Sequence, residues 1–434
     1  MTTAGTSWGR WPRFDHRIIT LPDRFAPLPA AAPLLPFGNG RSYGDVCLNE
    51  NGTLLSTRSM DRFQSFDPAT GILECEPGVL LQDIIDRFLP LGWFPPVTPG
   101  TALVTVGGAI ANDVHGKNHH RAGTFGNHVL EFTLQRSDGQ LLTCSRYENA
   151  DWFAATIGGL GLTGLIRSVR LRLRRVPGPW IAGDSQRFGN LADFFALSAA
   201  ADRDYEYTVS WIDCSASGRK LGRGIFIRGN HLPLPEPRRF AVKSKRMPLT
   251  PPISLVNGLS LRAFNLLYYN RPAAEQRDAI WHYRPFFYPL DGVHEWNRIY
   301  GPKGFFQYQC VIPPAAALPA LQDMLVRISR SGMGSFLVVL KNFGNVTSPG
   351  MLSFPRPGTT LAIDFPNRGA RTLSLLEALD DITRSTGGAV YPAKDARMSA
   401  AAFQQYFPEW RTFSQFIDPA FSSSFWRRVT GSAK

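Results

Sequence analysis

Apolar and polar positions alternate in short runs over much of the first third of the chain, and residues 33–66 read as short strands joined by loops. "TLLSTRSM" (53–60) and "GILECEPG" (71–78) have strand character, with the turn-forming "DPATG" (67–71) between them. The pattern then changes period. In "VLLQDIIDRFLPLG", Leu80, Leu81, Ile84, Ile85, Phe88 and Leu89 fall on one helical stripe that stops at Gly92. "VLEFTLQRSDGQLLTCS" (129–145) is two alternating runs around Asp138-Gly139 and predicts a hairpin. "ADWFAATIGGLGLTGLIRSVRLRLRRV" starts helical, passes a knot of glycines and ends as an alternating strand. These elements lack the regular strand–helix spacing of a doubly wound sheet.

Beyond Pro179 the pattern is dominated by strands, "YEYTVSWIDC" (205–214) and "LGRGIFIRG" (221–229) among them. "NHLPLPEPRRFAVKSKRMPLTPP" (230–252) breaks the pattern and reads as a long loop or flap, or as a cationic arm toward anionic lipid; Arg238, Arg239, Lys243, Lys245 and Arg246 carry its charge. "TTLAIDFP" (359–366) predicts a strand, and "ARTLSLLEALDDITRSTG" a helix closed by Gly387-Gly388. There is no internal repeat and no low-complexity tract.

Composition narrows the class. A chain of 434 residues, 44% hydrophobic and 12% aromatic, is globular and long enough for two domains. Cys47, Cys75, Cys144, Cys214 and Cys310 are scattered and never in a CxxC spacing, which argues against a disulfide framework or a thiolate zinc site and suits a reducing compartment. The N-terminal "MTTAGTSWGRWPRFDHR" has no apolar core of a Sec signal, and no run reaches the ~18 apolar residues of a spanning helix. A cytoplasmic protein, or one peripheral to the inner membrane, is expected. The net charge of +13 fits an anionic partner or simply a solvated basic surface. No zinc finger, RNA-binding signature or long basic run points to nucleic acid.

Glycine-rich loops carry the chemistry. "FGNGRSYGD" (37–45) sets three glycines around an arginine, a serine and a tyrosine, a pattern that suits either a tight surface turn or an anion cradle. It lacks the GK[ST] ending of a Walker loop. Three further clusters, "PGTALVTVGGAIAND" (99–113), "AGTFGNH" (122–128) and "GGLGLTGLI" (158–166), suggest a long ligand wrapped by backbone amides, for which a dinucleotide is a better fit than a small metabolite. Residues 104–129 also hold four of the eight histidines. His115 and His119 are four apart, but "HGKNHHRAGTFG" is too glycine-rich to form a helix, so polar lining of a pocket is expected rather than a metal site.

Together, "GNGRSYGD", "VTVGGAIANDVHGKNHHRAGTFGNHV" and "GGLGLTG" resemble the FAD-binding domain of the vanillyl-alcohol-oxidase-type flavoproteins. The likeness is greatest to the decaprenylphosphoryl-β-D-ribose 2′-oxidase branch. It continues through "EWNRIYGPKGFFQYQCVIP" (295–313), "LKNFG" (340–344), "LAIDFP" (361–366) and "VYPAKDAR" (390–397), and so spans nearly the whole chain. What the resemblance implies is an α+β fold of two domains. Residues 1–178 would bind FAD, residues 179–385 would form a substrate domain on an antiparallel sheet, and residues 386–434 would return to the FAD domain. The branch oxidises the 2′-hydroxyl of a polyprenyl-phosphoryl ribose to a keto sugar at a membrane surface, and a partner short-chain dehydrogenase completes epimerisation to the arabinose form used in cell-wall arabinan.

Residue by residue, the resemblance implies FAD contacts from Gly38, Asn39, Gly40, Arg41, Ser42 and Tyr43 in the first loop. In the second it implies Gly100, Thr101, Thr105, Gly107, Gly108 and Asn112, followed by His115, Gly116 and Asn118. Gly123, Thr124, Gly126, Asn127, Gly161, Gly164, Ile166 and Tyr391 complete the set. Substrate would meet Lys117, Trp211, Tyr300, Gln309, Lys341, Phe343, Thr360 and Lys394. Lys394, His115 and Tyr43 are the implied catalytic residues, with Lys394 suited to hold negative charge beside the flavin and Lys117 and Lys341 suited to anchor a phosphodiester.

Two departures matter. Covalent-flavin subgroups carry a histidine in the first loop; "GNGRSYGD" has none, which implies non-covalent FAD. Actinobacterial enzymes of the branch have a cysteine, trapped by nitroaromatic inhibitors, where this chain has Ala362. The competing expectation is an FAD-dependent oxidase of a free alditol or sugar lactone.

Overall fold

The structure, a computed structural model, describes residues 5–233, 240–241 and 244–431. Arg238, Arg239 and Lys243 of the basic segment therefore lie outside the described residues. The N-terminal part opens with a small parallel sheet in which Thr53–Ser56 runs between Arg17–Thr20 and Leu34–Phe37. A five-stranded antiparallel sheet follows, ordered Phe63–Asp67, Ile72–Cys75, Leu165–Arg172, Val129–Gln135, Leu141–Ser145. Its period-2 pattern turns Leu73, Cys75, Phe132, Leu134, Val169 and Leu171 into one apolar layer. Leu81, Ile84 and Phe88 of the helix Leu81–Phe88 pack into that layer. The helical stripe ends earlier than its last apolar residue. Pro90 has no N–H to continue the ladder, so Leu89–Leu91 is a 3-10 turn, closed by Gly92 at φ +83°. The predicted hairpin forms, with Gly139 at φ +90° in the turn.

The larger layer is an eight-stranded antiparallel sheet. Its order is Gln276–His282, Trp180–Phe188, Gly224–Leu232, Tyr207–Ile212, Val338–Phe343, Gly358–Pro366, Phe305–Ile312, Ala389–Val390. The helices Ala317–Ser331 and Ala370–Ser385 cover one face, burying Leu321, Met324, Leu325, Leu376 and Leu379 against Tyr308, Cys310, Leu340, Leu361 and Ile363. The alternate residues of the same strands point the other way. Register places Gln307 opposite Asp364, Gln309 opposite Ala362, Val339 opposite Ala362 and Lys341 opposite Thr360. Strand alternation thus gathers one polar and ionisable set on the face left uncovered by helices.

After Ala389–Val390 joins this sheet, the chain crosses to the N-terminal part. Phe421 bridges to Leu34, and Asp418 accepts from Ser137 N at 2.7 Å and pairs with Arg136 at 3.4 Å. At the far end of the basic segment, Lys245–Arg246 is not a loop but a two-residue parallel strand on Val293–His294. Among the described residues no helix is long and apolar enough to cross a membrane.

Candidate active site

Between the glycine loops and the uncovered sheet face lies a partly enclosed cavity of about 370 Å³. The first loop is set by a close approach. A Cβ on Gly44 would lie 1.7 Å from the carbonyl oxygen of Asp395, so only glycine lets this loop lie against the 392–395 turn. Tyr43 N donates to Ala393 O at 2.9 Å, and Lys394 Nζ sits 3.9 Å from the centre of the Tyr43 ring. Behind both loops, Arg428 from the helix Ser424–Thr430 donates to both Asp45 oxygens (2.7 and 2.8 Å) and to Asp395 (3.0 Å).

The second loop runs into a short helix, Val106–Ala111, that the glycine content had not predicted. Thr105 caps it by accepting from Gly108 N at 3.1 Å. The same Thr105 hydroxyl would be 2.4 Å from a Cβ on Gly38, so the first and second loops interlock.

The histidines of this stretch go to separate partners. His119–Ala122 is a single helical turn, contrary to the expectation that this segment is too rich in glycine for any helix; none of its four residues is a glycine. His115 precedes it in an extended bridge to Thr124, so His115 and His119 share no helix face, and no metal-holding group is found among the described residues. His119 Nδ1 accepts instead from Gly344 N at 3.2 Å. His115 Nδ1 is 3.0 Å from Lys341 Nζ, and its Nε2 is 2.9 Å from the Gln309 side-chain amide. Burial, then Lys341, holds His115 well below the ordinary imidazole range, so the ring is neutral. A neutral ring that accepts from Lys341 at Nδ1 carries its proton on Nε2, and Gln309 then turns its amide oxygen to that proton.

Cations converge on this point. Lys117 donates to Phe286 O and lies 5.1 Å from that residue's ring centre; burial lowers its ammonium to about 8. Lys341, which also donates to Gly116 O at 2.9 Å, is lowered to about 7 by burial and then by Lys117 and Lys394. Burial lowers Lys394 to about 8 against an opposing pull from Asp364. Burial in turn raises Asp364 to about 7, although Gln307 donates to it at 2.7 Å and Tyr300 at 3.3 Å.

Most residues singled out in the sequence line the cavity. From the glycine loops these are Gly38, Asn39, Gly40, Arg41, Ser42, Tyr43, Gly100, Thr101, Thr105, Gly107, Gly108, Asn112, His115, Gly116, Gly161, Gly164 and Ile166. From the sheet and its neighbours come Lys117, Gln309, Lys341, Thr360, Tyr391 and Lys394. Others stand one layer behind. Asn118 donates to Pro96 O and Glu206, while Asn127 accepts from Thr124 N at 2.8 Å and so shapes the Gly123–Asn127 loop, where Gly126 N donates to Asp113. Phe343 packs on the His115 ring at 4.8 Å, Tyr300 donates to Asp364, and Trp211, opposite the cavity-lining Val339 in the sheet, donates to Phe336 O. Asp364, Gln307, Val339 and Asp291 line the cavity and were not singled out. Alternation from Thr360 through Ala362 to Asp364 was the available signal for the first of them.

Residues 29–145 match the protein-family model described as an FAD binding domain. The chain is 36% identical to the decaprenylphosphoryl-β-D-ribose oxidase of Mycolicibacterium smegmatis over 412 residues, 90% of this chain and 88% of that enzyme. The chain belongs to the family of that oxidase. It is an FAD-dependent oxidoreductase with the mixed α+β fold expected of the family. An uncharacterised protein of Streptomyces coelicolor is 34% identical over 81% of this chain and its own full length. Cytokinin dehydrogenase 3 of Arabidopsis thaliana is 29% identical over only 33% of this chain and 28% of its own.

The residues present fit FAD. Arg41 Nε and Asn112 Oδ1 are buried, belong to residues lining the cavity and have no hydrogen-bond partner among the described residues, so a guanidinium and an amide oxygen are available to a polar ligand. Arg41 lies over the Trp8 ring at 4.2 Å, fixed in place beside the first loop. A cationic group there suits a pyrophosphate.

Proposed function

We propose that this protein oxidises the 2′-hydroxyl of a polyprenyl-phosphoryl-β-D-ribofuranose to the 2′-keto sugar, using FAD held without a covalent bond. The observation that carries this reading is the convergence of Lys117, Lys341 and Lys394 around neutral His115 on one wall of the cavity. A free alditol or lactone has no charge that would reward three lysines lining the cavity, whereas a phosphodiester has. The name of the 36% identical oxidase points to the same substrate class.

Bound FAD would supply the acceptor for the hydride that leaves C2′, with the 2′-hydroxyl proton passing to solvent. Lys341 and Lys117 bind the phosphodiester, and the Gln309 and Thr360 side chains orient the ribose. The Gln309 side-chain amide lies 3.2 Å from Thr360 Oγ1, so the pair offers one shared polar edge. Lys394, fixed over Tyr43 and next to Asp395, holds a positive charge where negative charge develops. Valine, leucine and proline side chains of the cavity (Val209, Leu290, Leu337, Val339, Pro289) give the start of a polyprenyl chain an apolar wall. The domain division at 178 and 385, presentation of substrate at a bilayer and delivery of the keto sugar to a short-chain dehydrogenase belong to the same reading.

The test is anaerobic turnover of polyprenyl-phosphoryl ribose against the free sugar, an alditol and a sugar lactone, followed by flavin bleaching. Bleaching by the phosphorylated ribose alone is expected; equal bleaching by the alditol or lactone would replace this reading. Acid precipitation should leave the flavin in the supernatant, and flavin retained in the pellet would refute non-covalent attachment.

A further inference from the structure

The helix Gly258–Asn270 is turned inside out. Its inner face is anchored: Leu261 joins the core, Asn265 Nδ2 donates to Asp213 at 2.8 Å, and Asn257 caps the first turn by accepting from Leu259 N and Ser260 N at 3.1 Å. Its outer face carries Leu259, Leu266 and Leu267 at spacings of seven and eight residues, hence on one stripe, and they are 81%, 53% and 73% exposed. The approach to the helix adds Leu249, Ile253 and Leu255, of which Ile253 is 73% exposed. Scattered surface leucines need no explanation, but six large aliphatic residues exposed within 19 positions of one segment do.

Charge and position indicate what covers them. Residues 244–274 contain Lys245, Arg246, Arg262 and Arg271 and no aspartate or glutamate. Arg246 pairs across the surface with Glu295 at 2.9 Å, while Arg262 projects outward among the leucines and Arg271 lies over the Tyr268 ring at 3.8 Å. The patch also adjoins the cavity mouth. Lys245–Arg246 pairs with Val293–His294, both of which line the cavity, and Phe264 packs at 4.7 Å on Phe336, whose neighbour Leu337 lines it. An aliphatic stripe on a segment that carries cations and no carboxylate of its own suits acyl chains beneath anionic headgroups.

We propose that Gly258–Asn270 and its approach from Leu249 dock this protein onto an anionic lipid bilayer, with the cavity mouth facing the headgroups. This rests on, and deepens, the reading of a lipid-linked substrate: the polyprenyl chain passes from the bilayer along the helix to the apolar wall without crossing water.

The experiment is flotation of the FAD-loaded protein with vesicles of phosphatidylglycerol and phosphatidylcholine, without substrate. Wild type should float with the anionic vesicles and less with phosphatidylcholine alone. A Leu259→Ser, Leu266→Ser, Leu267→Ser triple variant should lose roughly a hundredfold in partitioning. Its flavin absorbance and melting temperature should match wild type, because all three side chains are exposed. Arg262→Gln should weaken partitioning at low salt and make little difference at high salt. A triple variant that floats like wild type would overturn the proposal. So would a wild-type dimer in sedimentation that the triple variant breaks while neither floats, which would assign the patch to a second copy of the chain. Flotation lost in the triple variant, in a protein that fails to oxidise polyprenyl-phosphoryl ribose, would leave the docking surface standing and the substrate reading refuted. Turnover of that substrate together with unimpaired flotation would do the reverse.

Discussion

Arg428→Ala should uncouple the two loops that frame the reacting end of the cavity. Asp45 and Asp395 are each 3% exposed at their side chains, and one guanidinium serves both, through a two-pronged pair to Asp45 and a third bond to Asp395. Met398 O accepts a further hydrogen bond from the same group. Truncating it strands two buried carboxylates, a loss of about 3–5 kcal/mol for breaking a buried pair from one side. Unfolding entropy of roughly 2 cal/mol/K per residue over 434 residues converts this to a fall of about 3–6 °C in Tm. The consequence reaches the site because Asp395 follows Lys394 and Asp45 follows the first glycine loop. FAD content on purification and the melting temperature with and without added FAD are the measurements. Arg428→Lys, which keeps the charge but not the fork, should fall between wild type and alanine. A melting temperature within about 1 °C of wild type with full FAD content would refute the coupling.

Lys394→Ala should fold and retain flavin yet lose roughly 3 kcal/mol of electrostatic stabilisation, about a hundredfold in anaerobic flavin bleaching; a near wild-type rate would remove Lys394 from the chemistry. Ala362, which faces the cavity between Gln309 and Val339, should leave nitroaromatic inhibitors without a thiol, and Ala362→Cys should restore a covalent adduct; intact-mass spectrometry showing an adduct on the natural chain would contradict this. Because burial lowers Lys341 to about 7 and Lys117 to about 8, both lose their proton as pH rises through that range. KM for the phosphorylated ribose should therefore climb between about pH 6.5 and 8.5 while binding of an uncharged sugar stays flat, and a flat KM for both would mean these lysines do not hold the phosphate.

Much of the site was legible in the sequence because glycine and alternation are local signals. The four glycine loops announce backbone that must bend or approach closely, and Gly44 against Asp395 shows why no other residue serves. The hairpin at Asp138-Gly139 and the stripe from Leu81 to Phe88 follow from turn chemistry and period alone. The resemblance carried by "HGKNHH" and "AKDAR" added the residues that no period reveals.

Other features depended on contacts between distant segments. Asp364 became part of the site only through strand register, which sets it opposite Gln307 and on the same face as Thr360. Trp211 and Tyr300, both named from the sequence, were drawn to Phe336 O and Asp364 because a buried indole or phenol takes whichever acceptor its neighbours bring within reach. The neutrality of His115 is likewise tertiary: its ring is uncharged because burial strips its water and Lys341, 226 residues away in sequence, stands 3.0 Å from Nδ1. The outward leucines of Gly258–Asn270 show the same division. Their spacing says that they share a stripe, but only the anchoring of Leu261 and Asn265 decides that the stripe faces away from the core. Local sequence determines which conformations a segment can take; which face is buried, and what charge survives there, is fixed by the free energy of removing it from water against the particular neighbours the fold supplies.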